Sequence, residues 1–180
     1  ALAQSHRAAE ALELLRPLAA RVDSAADTAQ QHAYWREFAY VTGAAQRRLE
    51  SAQALKKAIA LAEALGNKSE AASSASNLAG TLGQLGRIDE GRQHAERARR
   101  YAAELGDSTS AIVASIDMNL GMLSAASGRF GEALALLDGA QHKFDAGAAR
   151  AWQAVCRNHL ANTWLMLGQP ARAHQVLPPD

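Results

Sequence analysis

Glycine recurs about every 20 residues along most of this chain, in two interleaved sets. Leu85-Gly86-Arg87, Ser127-Gly128-Arg129 and Leu167-Gly168-Gln169 form one set, spaced 42 and 40 residues apart. Leu65-Gly66-Asn67, Leu105-Gly106-Asp107 and Ala146-Gly147-Ala148 form the other, spaced 40 and 41. Glycine takes left-handed backbone at little steric cost, and that conformation ends helices. Two alternating helix stops at one fixed period restrict the chain to paired helices in series.

The segments between the glycines repeat as well. Phe38, Leu78, Leu120 and Leu160 form one column, followed by Ala39, Ala79, Gly121 and Ala161. After the loop come Glu50, Glu90, Glu132 and Arg172, then Ser51, Gly91, Ala133 and Ala173. Further on stand Leu55, Ala95, Leu137 and Leu177, then Ala58, Ala98 and Ala140. A large apolar column fills the space between helices, and small columns let helix backbones approach. Between Asp89 and Leu105, apolar or small residues fall at Gly91, Ala95, Ala98, Ala102 and Leu105, a helical period with charges on the other faces.

These signals predict nine helices. A leading one covers about 5–20, and Glu10 lies 40 before Glu50, so it is the second half of an earlier repeat. Repeats follow at about 27–66, 69–106, 109–147 and 148–177. Asp27-Thr28 and Asp107-Ser108-Thr109 are start signals, and Pro170 suits a first turn. Pro17 should kink or end the leading helix, and Pro178-Pro179 stops the last. Both ends read as severed repeats. Ala at position 1 points to a piece of a larger protein, with the exposed flanks of the end helices covered by missing chain or by a second copy in a homodimer.

Composition narrows the function. Roughly a quarter of the residues are alanine, the best helix former, which argues against an all-β fold. Nineteen basic residues balance eighteen acidic ones, so direct nucleic-acid binding by this piece is not expected. No apolar run reaches a membrane span, and no signal peptide opens the chain, which leaves the cytoplasm as the default location. Cys156 stands alone, and no two histidines lie three or four apart, so neither a disulfide framework nor a local metal pair is expected. Phosphate loops, dinucleotide fingerprints, zinc-protease pairs and nucleophile elbows are missing, so no catalytic residue and no cofactor is assigned.

The columns resemble the tetratricopeptide repeat family. Asn119-Leu120-Gly121, Gly128-Arg129-Phe130, Glu132-Ala133-Leu134 and Ala140 carry the best copy. Asn77-Leu78-Ala79, Gly86, Glu90 and Ala98 carry another, and Trp35 with Phe38 matches the family's aromatic opening. The unit here is longer than the family's common one. In that it is similar to the helical arrays of bacterial transcriptional and signalling regulators, to kinesin light chains and to peptide-sensing quorum regulators. The resemblance implies an all-α, right-handed superhelix of about four and a half helix–turn–helix repeats. It also implies a non-catalytic module that binds a protein, peptide or small effector in its concave groove, within a bacterial regulatory protein. A small-molecule-binding or enzymatic helical domain with its site in that groove is the alternative.

Family alignment gives the groove-facing residues of each first helix. They are Arg36 and Tyr40, then Ser73, Ser76, Asn77 and Gln84, then Ser115, Met118, Asn119 and Met122, and finally Asn158, Asn162, Leu165 and Met166. The asparagine amides can pair with the backbone of an extended peptide. The methionines adapt to apolar ligands, and Arg36 and Tyr40 suit a carboxylate or an aromatic group. Each has a plainer alternative: asparagines that cap or bridge helices, methionines that fill the core. Trp35, Trp164 and Cys156 read as packing residues, and Arg92 to Arg100 as a solvated helix face.

Overall fold

The computed structural model describes residues 2–106, 111–147 and 149–177, with side chains from Arg7 onward. The start signal Asp107-Ser108-Thr109, the loop residue Ala148 and the stop signal Pro178-Pro179 lie outside the described residues. The described regular structure is entirely helical, and the fold is an all-α helical repeat. The chain divides into two compact units, one running to Leu105 and the other starting at Gly106.

Unit 1 holds the leading half repeat and two full pairs. Its elements are α1 (Leu2–Leu15), a 3-10 turn (Arg16–Leu18), α2 (Ala19–Asp23), α3 (Thr28–Ala44), α4 (Arg48–Ala64), α5 (Lys68–Gln84) and α6 (Ile88–Leu105). The leading segment therefore breaks at Pro17, as a residue with no N–H and a locked φ requires. Unit 2 holds α7 (Ala111–Ala126), α8 (Phe130–Ala146), α9 (Arg150–Met166) and α10 (Pro170–Val176). Within each unit a helix packs on the one before and the one after it, which is how a repeat hides a stripe it cannot bury alone.

The repeating columns are the core. Phe38, Leu78, Leu120 and Leu160 are buried, as are Ala39, Ala79, Gly121 and Ala161 beside them. Ala58, Ala98 and Ala140 have no exposed surface, so the helices meet almost backbone to backbone there. In unit 2 the core gathers Ala114, Met118, Leu137, Ala140, Phe144, Cys156 and Leu160. Two buried hydroxyls find local acceptors. Thr42 Oγ1 donates to the Phe38 and Ala39 carbonyls at 2.6 and 3.0 Å, and Ser51 Oγ donates to Ala39 O at 2.9 Å.

One turn chemistry closes most helices. The N–H groups of Arg47, Asn67, Arg87, Arg129 and Gln169 each reach back five residues to a helix carbonyl at 2.8 to 2.9 Å. The residue before each takes positive φ: Gly66, Gly86, Gly128 and Gly168, but Gln46 at φ 62 in the first loop. Gly147 departs the other way, at φ −84, so that loop does not use the freedom its glycine offers. The acidic column also has a cause. Glu50, Glu90 and Glu132 each pair with an arginine three residues earlier, Arg47, Arg87 and Arg129. Arg172 breaks the column and lies over the Trp164 ring at 4.8 Å instead.

Candidate functional site

In unit 1 the first helices of the two full pairs are α3 and α5. Asp27 starts α3 by accepting from the N–H groups of Ala29 and Gln30 at 2.9 and 3.1 Å, and Asn67 caps α5 through Glu70 N at 3.1 Å. The buried stripes of α3 and α5 set how each helix is turned, and with it the exposed row. On α3 that row is Ala33, Arg36, Glu37 and Tyr40; on α5 it includes Asn77 and Gln84, with Ser73 half-buried. Tyr40 is 73% exposed, a large aromatic standing clear of the fold. Arg36 Nη1 pairs with Glu70 Oε1 at 3.1 Å across the two helices. Gln84 Oε1 accepts from Arg48 Nε at 3.0 Å, and Arg48 also donates to Gln46 Oε1 at 2.6 Å. Arg36 and Gln84 are thus engaged within the chain, while the Tyr40 and Asn77 side chains are open.

In unit 2, α9 exposes Asn158, Asn162, Leu165 and Met166, and Met122 and Ser115 on α7 are half-buried. Three residues read as groove-facing are placed differently. Ser76, Met118 and Asn119 are buried, at 1%, 3% and 9% exposure. Ser76 follows Ala72 and precedes Ala79 on the packed row of α5, so it points between helices. Met118 lies among Leu137, Phe144, Cys156 and Leu160. The Met118 side chain thus faces α8 and α9, the two helices that α7 packs on. Met118 is core filler, the plainer of its two readings.

The second helices of unit 1 carry a feature the sequence did not reveal. Arg16 meets Glu50 at 2.6 Å, Lys57 meets Asp23 at 2.8 Å, and Arg97 meets Glu63, each pair 34 residues apart. Arg36 and Glu70 on the first helices share that separation. The pairs follow the stagger of stacked helices, not the 40-residue offset between Thr28 and Lys68 that the columns display. Around Asp23 the contacts converge. Trp35 Nε1 donates to Asp23 Oδ1 at 2.9 Å, and Lys57 Nζ lies 3.7 Å from the centre of the Trp35 ring. The Lys57 hydrogen bond, against the opposing effect of burial and with help from Trp35, holds the Asp23 carboxyl below the usual range. This cluster ties the leading half repeat to the first full pair. Trp35 is buried there, as a packing residue should be.

Titratable groups elsewhere are dispersed. Burial, with Arg97 and Lys56 nearby, lowers the His94 pKa, and burial lowers that of His159. Burial, with Asp138 and Asp145 adding to it, pushes the Cys156 thiol up to about 12. Its Sγ donates to Leu137 O at 3.3 Å. Among the described residues no group of three or more His, Cys, Asp or Glu is placed to hold a metal ion. Nor is any described helix long and apolar enough to cross a membrane. A surface depression on α6 is lined by Asp89, Arg92, Gln93, Glu96 and Arg100, charges of both signs on a solvated face.

Residues 71–105, which cover most of α5 and all of α6, match the family model described as tetratricopeptide repeat. They form a tetratricopeptide repeat. No curated protein matches the chain by sequence. Solved structures extend the likeness to nearly the whole chain. BtubC (BKLC) from P. vanneervenii matches with a TM-score of 0.73 at 18% identity, over 94% of this chain and 70% of that one. A Rap protein complexed with Competence and Sporulation Factor matches with a TM-score of 0.80 at 14% identity. That match covers 95% of this chain, which spans only 47% of the Rap protein's length. A kinesin-light-chain-type protein of Podosopora anserina, with nearly identical TPR-like repeats, matches with a TM-score of 0.68 at 19% identity. It is covered over 96% of this chain and 85% of that one. At these identities the likeness shows a fold: that of the tetratricopeptide-type helical solenoid. The recognition made from the Asn77-to-Ala98 columns therefore holds.

Proposed function

We propose that this chain is a non-catalytic interaction module that binds a protein or peptide through the exposed rows of its first helices. The observation that carries the reading is the row on α3 and α5. Tyr40 and Asn77 stand exposed with open side chains, between ion-paired Arg36 on one side and Gln84 on the other. A rigid exposed aromatic and an amide with both donor and acceptor suit an extended peptide better than a reacting centre. The dispersal of the shifted titratable groups agrees, since catalysis needs them convergent. In unit 2, Asn158, Asn162, Met122 and Met166 form the corresponding binding surface; Ser76, Met118 and Asn119 support these rows from within. The Rap structure, solved with a bound factor, is similar in fold and supports a sensing role. We place the module in a bacterial regulatory protein acting in the cytoplasm, with no cofactor and no direct nucleic-acid contact.

The test is a peptide-array screen against the chain, followed by calorimetry on the best binder. Tyr40→Ala and Asn77→Ala should each weaken binding by about tenfold, corresponding to about 1.4 kcal/mol, with helicity unchanged. Binding that ignores both substitutions would refute the assignment to this row.

A further inference from the structure

The three tyrosines of this chain are used unequally. Tyr34 Oη donates to Leu15 O at 2.9 Å, and its ring stacks on Phe38. Tyr101 Oη donates to Glu63 and accepts from Arg97 Nε at 2.8 Å. Tyr40, the exposed one, has no hydrogen bond, ring contact or overlying cation among the described residues. Glu37 stands one turn before it and is also exposed. No lysine or arginine lies three or four residues from Glu37, so its own helix offers it no ion pair. The other charges of α3 and α5 are taken. Arg36 meets Glu70 at 3.1 Å, and Lys68 meets Glu104 at 2.6 Å. Of the Asp, Glu, Lys and Arg side chains on these two helices, Glu37 alone has no partner among the described residues.

Elsewhere the chain shows what a ring and a carboxylate hold between them. Lys57 Nζ lies 3.7 Å from the centre of the Trp35 ring and 2.8 Å from Asp23 Oδ2. The Arg97 guanidinium lies 5.8 Å from the centre of the Tyr101 ring and pairs with Glu63. In both places the negative face of the ring and the charge of the acid attract one cation. Tyr40 and Glu37 offer the same two groups on a single turn. Residues three apart on a helix are neighbours, and a helical aromatic leans toward the turn before it, where Glu37 stands. A lysine or arginine can lay its methylenes along the ring while its charged end reaches the carboxylate. Arg36, which could have drawn an acidic ligand to this row, is turned to Glu70.

From this we infer that the α3–α5 row takes a basic peptide, with a lysine or arginine seated on Tyr40 and paired with Glu37. The inference rests on the reading of this row as a peptide-binding surface and names the chemistry of the peptide.

The peptide array and calorimetry on the full chain test it. The peptides best retained should carry lysine or arginine. Exchanging that residue of the best binder for norleucine, a stem without the charge, should weaken binding about tenfold. In the Glu37→Gln chain the same exchange should cost only about threefold, because the ring alone then attracts the cation. Glu37→Lys should move the preference of the array toward aspartate and glutamate. Glu37 is exposed, so circular dichroism should show both variants folded. Best binders free of lysine and arginine, or a norleucine penalty equal in the parent and Glu37→Gln chains, overturn the inference. If Tyr40→Ala still weakens those binders, the reading of the row as a peptide surface survives alone. A chain that retains no peptide of any composition removes both.

Discussion

Gly121 offers the sharpest test of how closely these helices pack. A Cβ built there would lie 2.7 Å from Leu137 Cγ, 3.1 Å from its Cδ2 and 3.2 Å from the Ala133 carbonyl oxygen. Carbon atoms prefer about 3.5–4.0 Å, so Leu137 or the helix must yield by about 1 Å. Leu137 has no exposed surface and sits at the centre of the unit 2 core, and the clash involves its branch point, not a free end. Overpacking of this kind costs about 1–3 kcal/mol. Replacing a mid-helix glycine by alanine returns about 0.5–1 kcal/mol. Gly121→Ala should therefore destabilise by about 1 kcal/mol. The assay is urea unfolding followed by circular dichroism, with amide exchange assigning the loss to α7 and α8. The midpoint should fall at unchanged slope. Leu137→Ala, which alone should cost about 2–5 kcal/mol, should cost less in the Gly121→Ala background, because the void accepts the new methyl. A Gly121→Ala chain as stable as its parent, or strict additivity with Leu137→Ala, would refute the close crossing.

Three further outcomes are expected. Gln46→Gly should raise stability by about 0.5–1 kcal/mol, since left-handed backbone costs a side chain about 1–2 kcal/mol and glycine's unfolded entropy returns only part; thermal unfolding reads it. His94 and His159 favour the neutral form in the fold, so their contribution is complete above about pH 6.5 and is lost as the pH falls from there through their lowered folded values. His94 is faced by Lys56, Glu90 and Arg97, and His94→Gln should flatten the decline of the urea midpoint between pH 7.5 and 5.5. Cys156, buried and with its thiol pushed up to about 12, should resist a thiol reagent in the folded chain and react on adding urea; rapid labelling without urea would contradict its placement.

The period was legible because it answers to two strong demands, helix stops and a buried stripe. Phe38, Leu78, Leu120 and Leu160 share a column because each fills the same space, and Ala58, Ala98 and Ala140 because nothing larger fits. Loop chemistry was less legible. Gln46 carries positive φ where the pattern of glycines had not yet begun, and Gly147 lacks it although the pattern includes it. The candidate site was legible only to within a helical rotation. Tyr40, Asn77, Asn158 and Asn162 came out on the open side, whereas Ser76, Met118 and Asn119 turned inward. One residue is 100° of helix, and alignment to a family of shorter units cannot resolve how each helix is turned by its neighbours.

The ion pairs on the stacked helices of unit 1 bear on how such a chain can change. Exposed pairs add little stability, generally less than about 1 kcal/mol each, but they mark alignment between neighbours. Their 34-residue separation means that a charge reversal at Glu63 is answered at Arg97, not one sequence period away. Among homologous sequences, compensating substitutions should therefore cluster at that shorter distance. Shuffling whole units would strand one member of each couple beside a stranger, so order along the array is itself inherited information.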